Sequence, residues 1–207
     1  MGTTSMDDPV RGRLGGGEVD FYAEALKASQ QFREDYQSRL KVVKAKDMPF
    51  EQSPDGLIKH VMHEKLNTAE CCVDAYMQFI KPGQKSGKHR HLSEEICVVL
   101  EGSGYDLHWD VTFECMDKFY WDWEKEPKRF EWKPGDFVYI PPYVIHQHIA
   151  NPGTEVRLLC ITSRIVKAMG FDWFDQLETA EEAISEARQV RAWAWVQAWV
   201  SAREWPR

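Results

Sequence analysis

Between residues 57 and 163 the chain alternates short apolar runs with polar breaks. The runs are "CCVDAYMQFI", "EICVVLEG", "YDLHWDVTF", "KRFEW", "DFVYIPP", "VIHQHIA" and "VRLLCITS", and "KPGQKSG", "EGSG", "KPGD" and "NPGT" fall between them. Runs this short, rich in β-branched and aromatic residues and closed by Gly- or Pro-bearing turns, predict an all-β core, an antiparallel sandwich or barrel. The flanks read differently. "DFYAEALKASQQFREDYQSRLKVV" brings Phe21, Ala25, Leu26 and Ala28 near helical spacing and gives way to the turn "KDMPFEQSPDG". From about residue 172 to 204 the chain is built of helix formers. It offers a cap at Thr179 with Glu182 three residues on, and Ala192, Val196, Trp199 and Val200 share one side. The expected organisation is a disordered segment 1–17, a helical extension 18–56, the β core at 57–170 and a C-terminal helix at 171–207.

Length adds that 207 residues suit one well-cored domain with extensions. The net charge of -7 gives no general basic field for nucleic acid or anionic lipid, so neither is an expected partner. No stretch approaches the roughly 18 uncharged apolar residues of a membrane helix, and "MGTTSMDDPVRGRLGGGEVD" has no signal-like apolar core. A cytoplasmic protein is expected. The five cysteines are an odd number, and Cys71, Cys97 and Cys160 lie in apolar strand-like runs, which points to buried thiols rather than a disulfide framework. Cys71 and its neighbour Cys72 would face opposite sides of a strand, which argues against a vicinal redox pair.

The candidate chemistry sits in "GKHRHLSEE" and in "GDFVYIPPYVIHQHIAN". On a strand His89 and His91 share a face while Arg90 points away, so two imidazoles can reach one ion. Glu95 opens the apolar run "ICVVL", where a buried carboxylate is costly unless a cation or hydrogen bonds satisfy it. His146 and His148 alternate in the same way 51 positions beyond Glu95. By the same parity Tyr76 and Gln78 share one face of the preceding strand and Met77 and Phe79 the other; which face lines the core is open, as it is for His108 and Trp109. His60 and His63 read as surface residues, the aromatic-rich "FYWDWEKEPKRFEW" as a hairpin laying its rings on the core, and Trp193, Trp195, Trp199 and Trp205 as packing or dimer contacts.

These two segments resemble the paired signatures of the cupin superfamily. Gly83, His89, His91, Glu95 and Gly102 match the first at every anchor, and Gly135, Pro141 and His146 match the second, with 32 residues between Gly102 and Gly135. Tyr143 stands where the second signature usually has glycine, so a turn of different shape is expected there, and the closing asparagine comes one position late, as Asn151. The resemblance implies a cupin jelly-roll barrel with N-terminal and C-terminal flanking α-helices, and one divalent transition metal held by His89, His91, Glu95 and His146. Such a donor set suits Fe(II), Mn(II), Ni(II), Cu(II), Co(II) or Zn(II).

The favoured functional expectation is a mononuclear non-haem Fe(II) dioxygenase. It would take O2 and a small oxygen-chelating, hydroxylated aromatic-type substrate, with His148 catalytic and Tyr76, Gln78, His108 and Tyr143 as substrate-binding candidates. A redox-neutral isomerase, decarboxylase or lyase is the alternative, and a non-catalytic small-molecule-binding cupin the second. A homo-oligomer, with a dimer favoured, is expected.

Overall fold

The computed structural model describes residues 19–63, 65, 66, 68, 73–115, 119–171 and 173–180. Contacts divide the chain into Met1–Arg39 and Leu40–Arg207. In the first unit the helical spacing is realised as α1 (Phe21–Ser38), whose polar side carries i,i+4 hydrogen bonds from Gln30 to Glu34 and from Gln31 to Asp35.

The second unit holds the predicted β core as two antiparallel sheets. One runs in the order β1 (Phe50–Ser53), β2 (Gly56–Met62), β3 (Val73–Ile80), β12 (Val156–Ser163), β5 (Glu95–Glu101), β10 (Phe137–Ile140). The other runs β13 (Phe174–Glu178), β4 (Lys88–His91), β11 (Ile145–Ala150), β6 (Gly104–Trp109), β9 (Lys128–Trp132). From β3 onward most consecutive strands alternate between the two sheets, the jelly-roll arrangement that closes a small barrel. Val99, Val138, Ile140, Val144, Val156 and Leu158 fill it together with Trp132, each removed from water at roughly 1.5–3 kcal/mol per large aliphatic side chain. Among the described residues no helix is long and apolar enough to cross a membrane.

Turn chemistry fixes the register of this core. Gly102 takes φ 79° between β5 and β6, a conformation glycine adopts without steric cost. At Gly104 space decides: a Cβ would fall on the carbonyl oxygen of Ile149 and against the Trp132 ring. Gly104→Ala is therefore expected to lower stability by about 1–3 kcal/mol, the usual range for overpacking, and a denaturant midpoint unchanged from the parent would contradict this.

Three expectations are corrected. Over Phe174–Glu178, the first part of the helix expected from residue 172, the chain is instead a strand, because β4 offers it a free edge and Phe174 stacks on the His89 ring at 5.2 Å, while the rest of that helix, residues 181–207, lies outside the described residues; in the described part tertiary pairing overrides local helix propensity. Glu182, Trp193, Trp195, Trp199 and Trp205 lie outside the described residues, as do Cys71 and Cys72. The aromatic segment does not fold on itself: β8 (Phe119–Trp123) pairs with β7 (Val111–Cys115), while β9 joins the five-stranded sheet.

The third correction is at Tyr143, which takes φ 65° and so keeps the glycine-type turn rather than changing its shape. A left-handed non-glycine residue costs roughly 1–2 kcal/mol. That cost is offset by its contacts: its N–H donates to the His91 carbonyl at 2.8 Å, and its carbonyl accepts from Trp123 Nε1 at 3.0 Å. Its ring packs against Trp121, Trp123 and Trp173 beneath the Arg90 guanidinium.

Candidate metal centre and its cavity

Strand alternation places both imidazoles of β4 inward, with His89 2 % and His91 7 % exposed, while Arg90 lies over the Trp123 ring on the other face. Glu95 opens β5 on the facing sheet, and register sets His146 of β11 directly opposite His89. One donor atom from each of His89, His91, Glu95 and His146 falls within 4.8 Å of all the others, and all four residues are buried. Glu95 Oε2 lies 2.9 Å from His91 Nε2 and 3.7 Å from His146 Nε2, the second beyond hydrogen-bond reach.

Electrostatics agree with a cation site. Burial alone would raise the Glu95 carboxyl, yet the imidazoles of His146 and His91 hold it well below the usual carboxylate range. Burial, with His89 beside it, pushes His146 down to about 3, so its imidazole is neutral, as a ligand must be. Burial opposes charge on His91, but its hydrogen bond to Glu95 outweighs that and raises it. His146 Nε2 is buried with no hydrogen-bond partner. An orphaned nitrogen beside an ionised carboxylate is what a divalent transition metal would satisfy, and the set is able to bind one.

Surrounding groups aim the ligands. His91 Nδ1 donates to the Ser93 carbonyl at 2.7 Å and His146 Nδ1 to the Val144 carbonyl at 3.0 Å, which leaves each Nε2 for the ion. Tyr76 donates its hydroxyl to Glu95 Oε1 at 2.9 Å. Asp55 Oδ1 stands 3.2 Å from His89 Nδ1, and Asp55 is itself fixed by Gln78 Nε2 at 2.6 Å. Asp55→Asn is expected to weaken metal binding about 10–100-fold, as removal of an outer-shell carboxylate typically does; chelator competition measures it, and parental affinity would contradict the role. Asp55 escapes a reading of the sequence because "SPDG" carries the ordinary signature of a turn.

A cavity of about 360 Å³ opens over the centre, with Ile58, Met62, Tyr76, Phe171, Trp173 and Phe174 among its walls. His60 and His63, expected as surface residues, also line it. The other candidates are placed apart. Gln78 is fully buried one layer behind, and His108 lines a separate cavity with Asp110, Phe130 and Trp132. Tyr143 packs behind Trp173. His148 is fully buried and outside the cavity lining; burial opposes its charge, but Asp106 at 2.8 Å raises it to about 10.

Comparison with known proteins places this geometry. The auxin binding protein family model matches residues 38–183. Auxin-binding protein T85 of Nicotiana tabacum is 30% identical over 128 residues, 60% of this chain and 60% of that protein, so the chain spans less than two thirds of this relative's length. Among solved structures, the polyketide cyclase RemF from Streptomyces resistomycificus is similar over 73% of this chain and 94% of its own, at 16% identity and a TM-score of 0.49. Salicylate 1,2-dioxygenase from Pseudoaminobacter salicylatoxidans is similar over 78% of this chain and 36% of its own, at 12% identity and a TM-score of 0.48. With a family match that covers most of its length and both signature motifs in one jelly-roll barrel, the chain belongs to the auxin-binding protein family, a family of cupins.

Proposed function

We propose that the chain is a mononuclear metalloenzyme that draws a small, largely apolar molecule into the 360 Å³ cavity through an oxygen function facing His89, His91, Glu95 and His146, with Fe(II) as the working ion. The observation that carries this reading is the coincidence of a buried three-imidazole, one-carboxylate cluster with a cavity walled by aromatic side chains. Fe(II) held there supplies dioxygen-dependent oxidation of an oxygen-chelating molecule, such as a hydroxylated aromatic. The chain's own residues do the positioning. Phe174, stacked on His89, and Trp173 offer flat faces to an aromatic ring, and Tyr76 holds Glu95 in place.

A second reading is favoured by the family match: the same centre and cavity hold a small molecule without turnover, and the tobacco relative is named for binding auxin. The experiment measures metal content of chain purified without chelator. It then follows oxygen uptake and ligand binding after Fe(II) loading, with catechols, gentisate-like acids, β-diketones and an auxin. Substrate-dependent oxygen consumption supports the dioxygenase. Saturable, metal-dependent binding without consumption or conversion supports the binding protein, and conversion without oxygen uptake moves the reading to isomerase, decarboxylase or lyase chemistry. Absence of any metal uptake overturns all three.

A further inference from the structure

Behind the first centre lies a second group of donors. Cys97 of β5 and Cys160 of β12 are directly opposed in register, both free, both 0 % exposed, with their sulfurs 3.1 Å apart. From the facing sheet His148 brings Nε2 to 3.9 Å from Cys97 Sγ, and one donor atom from each of the three lies within 4.8 Å of the others. The imidazole is not free to turn. Its Nδ1 is bound to Asp106 Oδ1 at 2.8 Å, and Asp106 is fixed in turn by Trp132 Nε1 at 2.7 Å and by His108 Nε2 at 3.3 Å. A carboxylate on one ring nitrogen, with the other presented to sulfur, is the arrangement by which proteins orient metal-ligating histidines.

We propose that Cys97, Cys160 and His148 form a second metal site, a three-coordinate one for a soft thiophilic cation of the Cu(I) class. Two sulfurs and one imidazole select soft ions, and four-coordinate Zn(II) would need a further donor that this cluster does not supply. Metal–sulfur bonds of about 2.3 Å at tetrahedral to trigonal angles set the sulfurs roughly 3.8–4.0 Å apart, so each side chain swings outward by a few tenths of an ångström on binding. On binding, each thiol that becomes a ligand releases its proton, the His148 imidazolium releases the proton on Nε2 while Nδ1–H stays bound to Asp106, and no electron is transferred. Cys97 Sγ is 3.8 Å from Glu95 Oε1, and Glu95 lines the cavity, which gives the ion a way in past the first centre.

The test uses the full chain carrying Cys71→Ser, Cys72→Ser and Cys115→Ser, so that Cys97 and Cys160 are its remaining thiols. Anaerobic Cu(I) titration against a chromophoric chelator is expected to show one tightly held equivalent. That equivalent should be lost in Cys160→Ser and retained in His89→Ala, which damages the first centre alone. X-ray absorption of the bound ion in the unsubstituted pair is expected to show two sulfur and one nitrogen neighbours, a readout that stands even if a serine variant fails to fold. Failure to hold Cu(I), ligation by nitrogen and oxygen alone, or retention unchanged in Cys160→Ser would each overturn the site.

Discussion

His146→Ala is expected to weaken binding of a divalent metal by more than about 100-fold, beyond the 10–100-fold that loss of an outer-shell partner costs. The reasoning starts from register. His146 is opposite His89 across β4 and β11, fully buried, and held by burial in the neutral form a ligand requires. No side chain in hydrogen-bond range stands in for it, since its Nε2 has no hydrogen-bond partner. Alanine leaves the Glu95 carboxylate with His91 as its neighbour on that side and removes one of three imidazoles that share the ion's charge. Chelator competition and metal analysis measure the effect, and thermal unfolding in the presence of chelator separates it from any folding cost. Stoichiometric metal in the variant at parental affinity would show that His146 is not a ligand.

The part of this centre that could be read from the sequence is the part governed by the two-residue period of strands. His89 with His91, and Tyr76 with Gln78, share faces because alternate side chains do, and the spacing of Gly83, Glu95 and Gly102 around the first pair carried the family resemblance. What parity does not give is which face points inward and what stands across the barrel. Tyr76 of β3 reaches past β12 to Glu95 of β5, and Gln78 of β3 reaches Asp55 in the turn between β1 and β2, contacts that exist only after folding. Phe174 is the sharper case. Its segment has helical composition, and it becomes a strand because β4 leaves an edge beside two imidazoles on which an aromatic ring can stack. Tyr143 teaches the same point in reverse: a residue poorly suited to positive φ occupies the turn because its ring and both of its backbone polar groups find partners there.

Asp106→Ala is expected to cost about 3–5 kcal/mol of folding stability in the metal-free chain, the range for breaking a buried ion pair by removing one partner. Burial would raise the Asp106 carboxyl, but His148 and then His108 and Trp132 hold it far below the usual range, while burial's opposition to charge on His148 is outweighed by Asp106. Removing the carboxylate strands the His148 imidazole in a core lined by Cys97 and Cys160 and leaves Trp132 Nε1 without its acceptor. Replacing both partners, as Asp106→Leu with His148→Leu, is expected to recover most of the loss, because no uncompensated charge then remains buried. Denaturant unfolding of the single variants and the double variant measures this directly. A double variant as unstable as Asp106→Ala would mean that the loss comes from packing at the β6–β11 seam rather than from charge, and the pair would then be a filler of the core rather than the element that orients His148.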